Sequence, residues 1–296
     1  MRNYAFAEFR RSIKTGKKKM EVHMKTNNNN LISEEKHRWG WTLPRQCPSQ
    51  EVSFHVHCHY LKQYIKPGDR VLEIGPGPGH YTKVLADLGA RVVLVNISSV
   101  QLELNRQCAG RFGFGYSVVD WVRHDMRDMG TFVDGTFDAV VCFGAINCVM
   151  ENRDQAIAEL LRVLKPGGIA LIGVMSLWGT LHAHLPDAIN AASLDENLAM
   201  VKTGDLCQET YQNCVQPRHL FTAKEFRELL ERNKVTIEVL TASNSLATTW
   251  HDRLEDILTD ETKRNQLLQL EILASRQPGC LDTGTHIIGI VKKQLR

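Results

Sequence analysis

The chain has 296 residues, 43% of them hydrophobic and 23% charged, with a net charge of +3. These are ordinary globular values, the length suits one large domain or a domain with an insertion, and a core of this size needs no disulfide staple. So small a charge does not by itself imply a nucleic-acid partner. The eight cysteines form no C-x-x-C pair, and several lie in apolar runs such as VVCFG (140–144). That pattern reads as reduced, buried thiols in a cytoplasmic protein, and it argues against a disulfide framework or a metal site. No apolar run is long enough to cross a membrane.

In chain order, residues 1–50 read as a tail with a candidate lid. The opening segment is basic but lacks the apolar core of a signal peptide. Its lysine cluster and NNNN (27–30) predict a disordered tail, and Trp39 and Trp41 are candidates to fold over a site. A helix over 51–65 precedes the turn KPGD (66–69). RVLEIG (70–75) predicts a strand and 79–89 a helix. RVVLVN (91–96) predicts a strand and 98–112 a helix, and a weaker strand lies near 117–123. FDAVVCFG (137–144) predicts a strand, 154–164 a helix, KPGG (165–168) a turn and IALIGVMS (169–176) a strand. Strands apolar almost throughout, spaced by amphipathic helices, imply a parallel sheet covered on both faces and hence a doubly wound α/β fold. Residues 51–176 are thus read as the core. Residues 177–221 break the rhythm and are read as an insertion over the sheet's carboxyl edge. Residues 222–296 complete the core with a helix (222–233), a strand (235–243), a helix (262–276) and a closing strand (285–293).

The stretch VLEIGPGPGHY (71–81) places a glycine turn between strand and helix, an arrangement that presents backbone N–H groups to an anion or nucleotide. A triphosphate loop would need Gly-Lys-Ser/Thr at its end, where this chain has His80-Tyr81. A dinucleotide loop would need a small third residue, and His80 stands there instead. The spacing is G-x-G-x-G at 75, 77 and 79, with Glu73 on the strand before it.

These residues resemble the first motif of class I S-adenosylmethionine-dependent methyltransferases, in the small-molecule type 11 branch. The later motifs follow in order. VVLVNIS (92–98) resembles the second strand with its ribose-binding end, and RHDMRDM (123–129) the acidic loop after the third strand. FDAVVCFGAIN (137–147) resembles the fourth strand and its loop, and ELLRVLKPGGIALIGV (159–174) the helix, turn and fifth strand. GTHIIGIVKK is similar to the family's last, antiparallel strand. The resemblance implies a Rossmann-like seven-stranded sheet, S-adenosyl-L-methionine as cofactor and methyl transfer to a small molecule. It implies that Glu73 orients the methionine amine and that Gly75, Pro76, Gly77 and Gly79 let the backbone approach. Asn96 and Ile97 would stand at the ribose, Asp125 at the adenine amino group with Met126 packed on the ring, and Phe143 and Gly144 along the methionyl side.

One departure stands out. The family's second strand usually ends in Asp or Glu, which accepts from both ribose hydroxyls; here it ends in Asn96. An amide offers one oxygen to accept and a nitrogen that only donates, at a cost to binding of about 1–2 kcal/mol. Methyl transfer needs mainly positioning and desolvation, with a base only for a protonated acceptor, so no single catalytic motif is required. His219 and His80 are the candidate bases, and His182, His184 and Tyr211 are candidate acceptor-pocket residues. In FHVHCHY (54–60), His55 and His59 share a helix face at metal-like spacing while His57 points away; structural roles are expected for all three, and no metal. The loop after the fourth strand has no proline of the kind used on exocyclic amines, and no appended RNA-binding segment is evident. An RNA methyltransferase using the basic tail, or a cofactor-binding protein of this fold without methyl transfer, are the other readings. The oligomeric state stays open, a homodimer included.

Overall fold

Val92–Val95 and Ala139–Cys142 are buried at every position, because each strand is covered on both faces. The computed structural model describes residues 48–295 apart from 212, 213 and 215. The proposed tail and the lid tryptophans lie outside the described residues. The strands are β1 (Arg70–Ile74), β2 (Arg91–Asn96), β3 (Val118–Arg123), β4 (Phe137–Phe143), β5 (Leu164–Met175), β8 (Thr236–Ala242) and β9 (His286–Lys292), with a two-residue pair, β6 (Asp205–Leu206) and β7 (Arg218–His219), in the insertion. The seven-stranded sheet has the order β3-β2-β1-β4-β5-β9-β8. β9 is antiparallel to both neighbours, and the pairs within β1–β5 are parallel. This is the seven-stranded Rossmann-like sheet, with the antiparallel last strand, that the sequence implies.

The pleat separates two cores. Leu72 and Ile74 of β1 point to the face covered by α4 (Arg153–Val163) and α7 (Ala223–Arg232). Val71 points to the face covered by α1 (Pro48–Tyr64), α2 (His80–Asp87) and α3 (Ser99–Phe112). α9 (Glu261–Ala274) packs on α1 and on the short α8 (Glu255–Thr259). One boundary differs from expectation: the turn at KPGG falls inside β5, where the register with β4 shifts between Phe137 and Ala139 and Gly167 takes φ +75°. The insertion consists of α5 (Leu177–Ala191) and α6 (Leu194–Thr203) followed by the β6–β7 pair. It has a small core of its own that includes Leu177, Met200, Tyr211 and Leu220. Pro186 cannot donate into the helix, and α5 kinks at His184.

Candidate functional site

The strand order reverses between β1 and β4, and in open α/β sheets that is where the carboxyl ends leave a crevice. Both loops that the sequence nominates rise there. After β1, Gly75, Gly77 and Gly79 have φ of +67°, +53° and +102°. L-residues with a side chain adopt that region only at a cost. The three do different work. A Cβ on Gly75 would lie 2.8 Å from the Cβ of Ala145, and one on Gly79 would lie 2.6 Å from the Phe114 ring. A Cβ on Gly77 would meet nothing within 4 Å. Gly75 and Gly79 are therefore packed against protein, while Gly77 faces open space at the start of α2.

Asn105, which is fully buried, braces this loop. Its Nδ2 donates to the Gly77 carbonyl at 3.2 Å, and its Oδ1 accepts from Trp121 Nε1 at 3.0 Å. The sequence reading missed both residues. The available signal was a polar residue on the buried stripe of α3, between Leu102 and Cys108.

Glu73 is 2% exposed, and its Oε2 accepts from Thr82 Oγ1 at 2.7 Å. Burial pushes its carboxyl up to about 7, against the opposing effect of the Thr82 hydrogen bond. A buried carboxyl with one donor among the described residues is suited to receive a cationic group.

At the end of β2, Asn96 Oδ1 accepts the Ser98 N–H at 2.9 Å, and Ser98 in turn caps α3. Ile97 beside it is 60% exposed, an apolar side chain available to lie against a ring. Asp125 is engaged by Arg127 through both carboxylate oxygens, at 2.7–3.2 Å. That guanidinium holds the carboxyl below the usual carboxylate range. The Met126 side chain is 7% exposed and belongs to the core on the α4 face, so the expectation that it packs on an adenine ring is corrected to a core role. Phe143 and Gly144 stand at the end of β4, where Gly144 has φ +94° and starts the turn Ala145–Cys148. Within that turn Asn147 accepts the Met175 N–H at 3.1 Å, tying the loop to β5, and Cys148 is exposed.

The proposed bases separate. His80 opens α2 directly after the glycine loop, half-buried, with Phe54 6.4 Å away ring to ring. His219 is a correction: Nδ1 lies 2.6 Å from Asp205 Oδ1 and Nε2 2.7 Å from Glu225 Oε1, so neither ring nitrogen is free to take a proton from an acceptor. His219 joins the β6–β7 pair to α7. Tyr211 is buried and hydrogen-bonded to Asn197, and His182 contacts the Thr283 carbonyl at 3.3 Å from an exposed position. His184 is buried at the kink of α5. In α1, His59 is exposed and His55 lies 3.7 Å from Glu51, whereas His57 is the buried one. Among the described residues no group of three His, Cys, Asp or Glu side chains is arranged to hold a metal ion.

Glycine loop, acidic strand residue and sheet order together define a Rossmann-like methyltransferase fold. Residues 72–172 match the family described as "Methyltransferase domain". The chain is 38% identical over 105 residues to a demethylmenaquinone methyltransferase of Clavibacter sepedonicus, covering 36% of this chain and 40% of that protein. It is 35% identical over 121 residues to a sterol 24-C-methyltransferase of Eremothecium gossypii, covering 40% and 32%. The chain thus spans less than half the length of either relative. An S-adenosylmethionine-dependent methyltransferase from Mesorhizobium loti shares the fold with TM-score 0.54 at 17% identity, over 80% of this chain and 98% of that one. The cyclase SpnF shares it with TM-score 0.51 at 18% identity, over 81% of each. The fold therefore does not fix the reaction. Among the described residues no helix is long and apolar enough to cross a membrane.

Proposed function

We propose that the protein is an S-adenosylmethionine-dependent methyltransferase acting on a small molecule. The observation that carries this reading is Gly77, which opens onto free space at the switch point beside the buried Glu73 carboxyl. A donor without phosphates fits that cradle, since it asks for a close backbone, N–H groups for a carboxylate and an acid for an ammonium, with no lysine. When bound, the donor supplies a methyl group already activated on a sulfonium sulfur. The chain's residues then bind and orient: Glu73 takes the amine, the loop N–H groups the carboxylate, Asn96 and Ile97 the ribose end, and Asp125 the base. The named relatives act on quinones and sterols, which supports a small-molecule acceptor, but their matches lie in the donor-binding half. Residues 177–221 are the acceptor side in this reading.

Calorimetry with S-adenosylmethionine and with S-adenosylhomocysteine tests the proposal first. Binding of both, followed by transfer of labelled methyl to a metabolite, is the expected result. No binding of either would sink it. Binding without transfer to any metabolite would favour a protein that keeps the cofactor but runs another reaction. Asn96, whose oxygen is already used by Ser98, is the observation on that side.

A further inference from the structure

His57 lies where the buried stripe of α1 crosses the carboxyl end of β5, and it is 3% exposed. Its Nδ1 is 2.8 Å from the Ser53 carbonyl oxygen. A carbonyl can only accept, so Nδ1 carries the proton and Nε2 presents a lone pair. Among the described residues Nε2 has no hydrogen-bond partner. It is left uncovered by β5 because residue 173 is glycine: a Cβ there would stand 3.4 Å from Nε2 and 3.0 Å from the Phe143 ring. A glycine inside a strand often marks close approach by another group.

The surroundings are aromatic. Phe143 stands edge-on to the His57 ring at 4.6 Å, Tyr81 is 5.5 Å from it and His286 is 6.0 Å from it. Phe54 lies 5.3 Å from Tyr81. Phe54, Tyr81, Phe143 and His286 are all partly exposed, and Tyr81 adjoins the Thr82 that holds Glu73. The ring is held rigidly: Ser53, whose carbonyl fixes the tautomer, donates its hydroxyl to Ser243 at 2.9 Å at the end of β8. Burial lowers His57 to about 3 and His286 to about 4, so both rings are neutral at physiological pH.

We propose that His57 Nε2 is the specificity-determining contact for the acceptor, accepting a hydrogen bond from a hydroxyl on a planar, apolar body such as a phenol or enol that lies against Phe143 and Tyr81. The inference rests on the methyltransferase reading above and adds the class of acceptor. A lone pair accepts from a hydroxyl and rejects a carbonyl, which would leave both groups unpaired.

The probe is 2-naphthol, with naphthalene as the control that has the same body without the hydroxyl. In the full-length protein with nitrogen-15 histidine, long-range NMR spectra should show His57 protonated at Nδ1 and bare at Nε2. 2-Naphthol should shift Nε2 and naphthalene should leave it. His57→Phe should weaken 2-naphthol binding by about tenfold or more while S-adenosylhomocysteine binds as in the wild type. A proton on Nε2, an Nε2 signal unmoved by 2-naphthol, or undiminished affinity in the folded variant would each overturn the assignment. The two wild-type spectra decide the matter if the variant does not fold. Wild-type protein that binds S-adenosylhomocysteine but shows no Nε2 response overturns only this inference, whereas failure to bind the donor product removes the broader reading as well.

Discussion

Thr82 Oγ1 donates to Glu73 Oε2 across the turn between β1 and α2, and among the described residues it is the single donor to a carboxyl that is 2% exposed. Burial outweighs that bond and raises the carboxyl from 4.5 to about 7. Below about pH 4.5 the group is protonated in both the folded and the unfolded chain, and folding carries no penalty. Between 4.5 and 7 the unfolded chain loses its proton and the folded one keeps it, so stability falls as pH rises. The full loss, reached above pH 7, is roughly 3 kcal/mol. Glu73→Gln removes this dependence. Urea denaturation at pH 5 and pH 8 should show the variant gaining on the wild type at the higher pH, while binding of the amine-bearing donor weakens. A stability difference that is flat across that range would mean the carboxyl titrates normally in the fold.

The glycine loop yields a paired prediction, because its residues face different neighbours. Gly79→Ala forces φ +102° on an L-residue and drives its Cβ into Phe114 and Asn105. It should lower stability by more than about 2 kcal/mol, read by thermal or urea denaturation. Gly77→Ala meets no protein atom and should cost only about 1–2 kcal/mol, the price of the left-handed conformation. Yet it should lose most donor affinity in calorimetry, since its Cβ enters the open space. Full affinity in a folded Gly77→Ala protein would remove the loop from the site.

The sheet was legible in the sequence because doubly covered strands are apolar at every position, and the glycine loop because its backbone demands glycine. β3 was faint because it is an edge strand, where only Val118 is buried. The insertion's interior could not be read: two-residue strands such as Asp205–Leu206 have no period, and a kink at His184 blurs α5. His57 was expected to point away from a His55–His59 face. The better signal was the stripe Ser53, Val56, His57, Tyr60 and Leu61, which winds at helical spacing and buries together. His286 and Gly173 could not be joined to it from sequence, since contact between α1 and the start of β9 depends on the antiparallel closing strand.

Asn96→Asp tests the departure at the ribose end of the donor site. The Ser98 N–H bond to Oδ1 survives the change, because a carboxylate also accepts, so the loop before α3 should keep its form. The new oxygen adds a charged acceptor where the amide nitrogen could only donate. Donor affinity should rise by roughly tenfold, measured by calorimetry. Unchanged or weaker binding would mean that residue 96 does not meet the ribose hydroxyls.

His219 is 4% exposed at its side chain and bridges Asp205 and Glu225, with Arg153 3.4 Å from Asp205 on the other side. Its work is to hold the β6–β7 pair against α4 and α7. His219→Leu removes the ring that both carboxylates bond and sets an apolar side chain between them, so the tie from the β6–β7 pair to α7 is lost. Limited proteolysis should then cut within residues 177–221 faster than in the wild type, and the melting temperature should fall. S-adenosylhomocysteine affinity should stay unchanged, since the glycine loop and Glu73 lie at the switch point and contact none of these groups. Wild-type proteolysis and melting combined with lost methyl transfer would return His219 to a role in the chemistry.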